Sequence, residues 1–222
     1  MSALAAIIWR DVRLAFRAGG GALQAVAFFA LVVVLFSLAV GPDIALMRKI
    51  AGPVLWTAAL LATLISLDQI WRADREDGSL DIIVETSDAL PLTAAAKAAA
   101  HWFSTGLPLI IATPILGVIL NLPASAYVPV LMSLAIGTPG LSLIGAFASA
   151  LAVSLPRANL LISIIVAPLY APILIFGAGA SIAGAADATQ YAPNLMLLGA
   201  ATLFAALFSP IASAAALRSN LD

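Results

Sequence analysis

Five stretches of this 222-residue chain, 18–42, 50–67, 98–156, 158–186 and 188–217, contain no Asp, Glu, Lys or Arg. A helix needs about 20 apolar residues, range about 17–25, to cross a hydrocarbon core roughly 30 Å thick. Each stretch is long enough for one crossing, and 98–156 for two. The chain is 63% hydrophobic and 9% charged, whereas soluble domains hold about 45–50% apolar and roughly 25% charged residues. It cannot cover itself with polar groups, so its solvent is lipid. Unbroken apolar runs lack the alternation of a membrane β-barrel. The expected fold is an all-α integral membrane protein with one domain over 1–222. Its six transmembrane helices are expected near 22–41, 52–70, 99–120, 127–153, 158–178 and 194–214.

Orientation follows from Lys and Arg, which accumulate in short cytoplasmic loops. With the N-terminus inside, Arg10, Arg13, Arg17, Arg72, Arg75, Lys97, Arg157 and Arg218 are cytoplasmic, and only Arg48 and Lys49 lie outside. Both termini are therefore expected in the cytoplasm. The first apolar residues precede the positive charges, so the start does not fit a cleavable signal peptide.

Residues 3–17, within a leading segment 1–19, have a pattern of their own. Arg10, Arg13 and Arg17 share one helical face, with Leu4, Ile8, Val12 and Ala15 opposite. This reads as an amphipathic interfacial helix whose arginines reach the headgroups, or as a plain topology-setting positive cluster. Asp11 lies near the apolar face and departs from the pattern. Gly19, Gly20 and Gly21 are expected to break the helix before the first span.

Elsewhere the spans carry helix-disturbing residues. Pro108, Pro114, Pro139, Pro168, Pro172 and Pro210 each remove a helix hydrogen bond and favour a kink. "GTPG" at 137–140 is the sharpest expected break. The Gly/Ala-rich segment 177–194 leaves room for a short re-entrant element. No "GK" dipeptide occurs, so there is no P-loop for ATP. With no Cys, a thiolate metal site or cysteine nucleophile is excluded, and a catalytic triad or imidazole metal site would have one His to draw on, His101. Spans three to six hold no carboxylate, so an ion-coupled carrier would have little to couple with.

Charge concentrates instead in "WRADREDGSLD", 71–81, where six of eleven residues are charged. The segment opens the longest cytoplasmic connection, 71–98, between spans two and three. Gly78 is expected to end one helical piece and Ser79 to cap the next, with Asp81 near its positive end. Leu80, Ile83 and Val84 then form an apolar face against Asp81, Glu85 and Asp88. Pro91 ends this short amphipathic helix, and Thr93 starts the helix that carries Lys97 into span three. Such a face suits a partner's groove.

These residues carry a resemblance. "REDGSLD" (75–81), then "LPLT" (90–93) and Lys97, is similar to the coupling element of six-span, exporter-type ABC permeases. With "WRDVRLAFR" (9–17), "AHWFSTGLPL" (100–109), "GTPGL" (137–141) and "SPIASAAALR" (209–218), the whole chain resembles the haem exporter protein B (CcmB) family of cytochrome c maturation. Asp81 stands where that family usually has Glu. The resemblance implies a permease subunit of the bacterial inner membrane, not itself an enzyme, with ATP hydrolysed by a CcmA-like partner. It further implies paired permease subunits, a haem-handling CcmC-like membrane protein and a CcmE-like haem chaperone, with haem transported or delivered. No nucleic acid is implicated. Arg75, Glu76, Asp77, Gly78, Ser79, Leu80, Asp81, Ile83 and Val84 would be the ATPase-docking residues. His101, beside Trp102, is either an interfacial anchor or a haem contact. A scaffold or mechanical release device, and an exporter of another substrate, are the competing readings.

Overall fold

The computed structural model describes residues 3–17, 21–87, 89–155, 158–187 and 190–220. Gly19, Gly20, Asp88 and Arg157, which the sequence reading used, lie outside them. Among the described residues the chain is helical apart from short turns between the helices. Helix α1 spans Ala3–Arg17, α2 Gly21–Val40, α3 Ile44–Ser66, α4 Gln69–Glu76 and α5 Ser79–Thr86. Helix α6 spans Leu90–His101, α7 Leu107–Ile119, α8 Ala124–Ala152, α9 Ala158–Ala186 and α10 Ala192–Ser219. Six helical stretches are long and apolar enough to cross a membrane: Ala22–Val40, Ile44–Glu76, Leu90–Ile119, Ala124–Ala152, Leu160–Ala186 and Ala192–Ser219. The chain is an all-α integral membrane protein, as its charge-free stretches require.

Several boundaries move. Helix α3 begins at Ile44 instead of near 52, because Gly41 turns the chain at φ 72° and the Asp43 side chain accepts from Leu46 N at 3.0 Å. The segment 71–98 is mostly helix, its described residues outside helices being Asp77, Gly78, Ser87 and Ala89. Helix α6 starts at Leu90, not Thr93, since Pro91 falls in its first turn, where a missing N–H costs nothing. Helix α9 continues to Ala186, so the re-entrant option at 177–194 gives way to a plain extension of the span.

Helix α8 is the hub. The expected break at "GTPG" does not occur, and the helix runs through Pro129 and Pro139. Its glycines serve close approach instead. Gly137 of α8 and Gly177 of α9 face the Trp56 ring of α3, and a Cβ at either would collide with it. Small residues let membrane helices pack closely in this way. Trp56 donates from Nε1 to Ser133 Oγ at 3.0 Å. Neighbouring helices also donate to carbonyls of α8: Thr202 to Ile136, 3.0 Å, and Tyr170 to Leu141, 2.6 Å. Outward faces stay apolar, with Leu31, Leu35 and Leu38 on α2 and Leu203, Phe204, Leu207 and Ile211 on α10 exposed. These face lipid.

The break falls in the third span. Between α6 and α7, Trp102–Gly106 form a five-residue π-helical turn in which Leu107 N donates to the Trp102 carbonyl. Pro108 follows immediately and has no N–H to donate. A widened turn of this kind is a known source of helix kinks.

The topology brings α1, α4, α5, the start of α6 and the end of α10 to one end of the bundle. There Arg75 Nη1 donates to Ser154 Oγ at 2.8 Å, and Asn220 Nδ2 donates to the Ala150 carbonyl at 3.1 Å.

Candidate functional site

The charged end is built on an elbow of two short helices. Helix α4 continues the second span and stops at Glu76. Gly78 then adopts φ 76°, a left-handed conformation that favours glycine, and α5 departs. Ser79 does not cap α5. Asp77 supplies the bond instead, its Oδ1 accepting from Ser79 N at 2.9 Å. Hydrogen bonds from the Ser79 side chain and backbone hold the Asp77 carboxyl below the usual carboxylate range. The Ser79 hydroxyl reaches back to Asp74, 3.4 Å from Oδ1 and 3.5 Å from its carbonyl.

The faces of α5 are the reverse of a simple docking helix. Leu80 and Val84 are buried in the chain's own core, with Ile83 partly buried against it. Ile82 is 62% exposed, and Asp81 and Glu85 beside it are exposed as well. Arg75, Glu76, Asp77 and Gly78 are also exposed. The spacing of Leu80, Ile83 and Val84 correctly marks an apolar stripe. That stripe seats the elbow on the bundle, and Ile82 within an acidic rim is what faces outward.

Beneath the elbow lies a closed ring of four charges drawn from three helices. Arg10 Nη2 donates to Asp74 Oδ1 at 2.7 Å, and Arg10 Nε to Asp11 Oδ1 at 2.8 Å. Lys97 Nζ lies 2.9 Å from Asp11 Oδ2 and also pairs directly with Asp74 Oδ2. Each ion touches two of opposite sign. The Asp74 and Lys97 side chains are each 2% exposed. Lys97 further donates to the Ile70 carbonyl at 3.3 Å and stands 5.2 Å from the Trp71 ring centre. Burying ions is costly unless they are paired and hydrogen-bonded, and this arrangement meets that condition.

The three arginines expected at headgroups are all exposed, and Arg10, with its side chain 43% exposed, also joins this ring. The reading of the sequence missed Asp74 as a buried partner and left Asp11 unexplained. Two signals were available: a carboxylate on the apolar side of α1, and a lysine inside the alanine run "TAAAKAAAH". Both are expensive to bury alone.

His101 is engaged on both ring nitrogens. It is buried, with Nε2 sharing a hydrogen bond with Ser66 Oγ at 2.9 Å and Nδ1 with Ser142 Oγ at 3.0 Å. It thereby ties α3, α6 and α8 together. Trp102 donates to Thr138 Oγ1 at 2.9 Å. A cavity of about 330 Å³ opens between α1 and the bundle, its lining including Asp11, Leu14, Lys97, Ser66, His101 and Thr105. Among the described residues, no cluster of His, Asp or Glu is arranged to hold a metal ion.

Fold and site together define a multi-pass α-helical membrane protein whose one charged end carries a protruding helical elbow fastened by buried ion pairs. A family model described as CcmB protein matches residues 2–220, and the chain belongs to that family. It is 48% identical to heme exporter protein B of Bradyrhizobium diazoefficiens over 222 residues, all of both chains. It is 48% identical to heme exporter protein B of Paracoccus denitrificans over 216 residues, 97% of this chain and 99% of that one. The Escherichia coli K12 protein of the same name is 38% identical over 223 residues, 97% of this chain and 100% of that one.

Proposed function

We propose that this chain is the membrane-spanning permease subunit of an ABC-type complex serving haem export or delivery to the periplasm in c-type cytochrome biogenesis. The observation that carries the proposal is the exposed Ile82 within an acidic rim, on an elbow seated in the core by Leu80 and Val84. That is a rigidly held contact face, suited to an ATPase partner that supplies the hydrolysis this chain has no motif for. The family and the relatives' names support haem as the substrate. In this reading the complex contains paired copies of the chain, a CcmA-like ATPase, a CcmC-like haem-handling protein and a CcmE-like haem chaperone. It sits in the bacterial inner membrane with both termini and the elbow in the cytoplasm. Reporter fusions after residues 42 and 122 then read periplasmic, and those after 87 and 220 cytoplasmic. A periplasmic reading at 87 contradicts the assignment.

One observation favours a second reading, in which the subunit transmits force to release the loaded chaperone and passes no haem itself. Both ring nitrogens of His101 are engaged by serines in the core, leaving no free nitrogen for iron. ATP hydrolysis by the complex in proteoliposomes separates the two. Stimulation by haem alone supports passage through the membrane subunits, and stimulation only with the chaperone present supports mechanical release.

A further inference from the structure

The charge ring has a property that the docking face does not explain. It is contributed by α1, α4 and α6 in strict alternation of sign, so its four ions sum to zero. Arg10 and Asp11, adjacent in sequence, supply one cation and one anion. Asp74 and Lys97 supply the other pair. Removing a single ion leaves a buried charge unbalanced, which is strongly unfavourable. Removing Arg10 and Asp11 together leaves a neutral pair behind. Arg10 and Asp11 are thus the charged attachment of α1 to α4 and α6.

Open space flanks α1 on both sides of this attachment. On one side lies the cavity of about 330 Å³ bordered by Ser66 and His101. On the other, an apolar groove of about 550 Å³ separates Ile8, Val12 and Phe16 from Phe103, Leu107 and Pro108. The groove borders the π-helical turn, the widened point of the third span. Alongside its packing on α6, α1 is thus held by ions attached to the elbow. The Ser79 hydroxyl at the start of α5 reaches the same Asp74 that accepts from Arg10.

We propose that the ring of Arg10, Asp11, Asp74 and Lys97 fastens α1 to the elbow as one moving body, making Arg10 and Asp11 positioning residues for the ATP-driven step. This rests on the docking reading above. Motion imposed at Ile82 passes through Asp74 and Lys97 to α1, and from there to the π-helical turn beside it.

The test uses the double variant Arg10→Gln/Asp11→Asn, which unfastens α1 and leaves the Asp74–Lys97 pair neutral. The expected result is unchanged membrane level and ATPase co-purification, with cytochrome maturation reduced about tenfold, within the usual range of coupling between two sites. Asp11→Glu should restore most of the maturation lost in Asp11→Asn. The chain has no cysteine, so spin labels at Arg13→Cys and Glu85→Cys report the spacing of α1 and the elbow in the whole complex. That spacing should be the same in resting and vanadate-trapped states, and should broaden on trapping only in the double variant. Full maturation by the double variant, or a spacing that changes on trapping with the ring intact, overturns the fastening. Failure of the unaltered chain to retain an ATPase overturns the docking reading itself, and this proposal with it.

Discussion

The Trp71 indole N–H donates to the Ala146 carbonyl at 3.1 Å, seating the root of the elbow on α8. Trp71 is fully buried, so two losses can be separated there. Trp71→Phe removes one hydrogen bond, a net cost of about 0.5–1.5 kcal/mol. Trp71→Ala also opens a cavity and should cost about 3–5 kcal/mol. Thermal unfolding in detergent should rank the unaltered chain above the Phe variant and the Phe variant well above Ala. Equal melting of all three would mean that the elbow is not anchored through this residue.

Lys97 and Asp74 should behave as a pair. Either Lys97→Met or Asp74→Leu strands a buried charge and should cost about 3–5 kcal/mol, whereas removing both leaves Arg10 and Asp11 compensating each other. The double variant is therefore expected to melt above either single one, an interaction that a double-mutant cycle measures directly. Simple additivity would show that the two side chains act independently.

At His101 the expectation reverses the one that an interfacial anchor suggests. Leu or Phe there would leave Ser142 without this partner inside the bundle, at roughly 1–3 kcal/mol for a group left unsatisfied, while Ser66 keeps its bond to the Thr63 carbonyl. His101→Gln, which can still donate and accept, should retain more stability and more cytochrome maturation than His101→Leu. A His101→Leu variant that melts like the unaltered chain would return His101 to the role of a membrane-end anchor.

What could be read from the sequence, and what could not, divides along a physical line. Charge-free length fixes the spans because desolvating a charged side chain in hydrocarbon is prohibitive, and Gly78 was legible because a left-handed turn favours glycine. The direction of the α5 stripe was not legible. Spacing of Leu80, Ile83 and Val84 shows that one face is apolar, yet both a bundle core and a partner's groove accept such a face. The glycines of "GTPG" look like helix breakers locally, and only Trp56, Ile173 and Thr202 from other helices make them contact points. The pairing of Asp11 with Lys97 joins residues 86 positions apart, which no local pattern encodes.

That close approach is itself testable. Gly177→Ala places a methyl group against Trp56, and overpacking of this kind usually costs about 1–3 kcal/mol. Gly199→Ala, whose added carbon would have a single neighbour at 4.0 Å, is the control and should melt close to the unaltered chain. Equal melting of the two variants would show that Trp56 has room to yield.

The docking claim turns on which face of α5 meets the ATPase. Leu80→Asp cannot decide it, because Leu80 is 4% exposed and its substitution damages the bundle itself. Ile82→Asp changes only the outward face. Full burial of such a side chain is worth about 1.5–3 kcal/mol, so its loss should weaken ATPase binding about 10- to 100-fold. Asp81→Asn, at an exposed rim worth about 0–1 kcal/mol, should change it little. The decisive measurement is co-purification of the ATPase with Ile82→Asp at a normal membrane level of this chain. The ATPase is expected to be lost from the complex; undiminished co-purification would contradict docking through this face of α5.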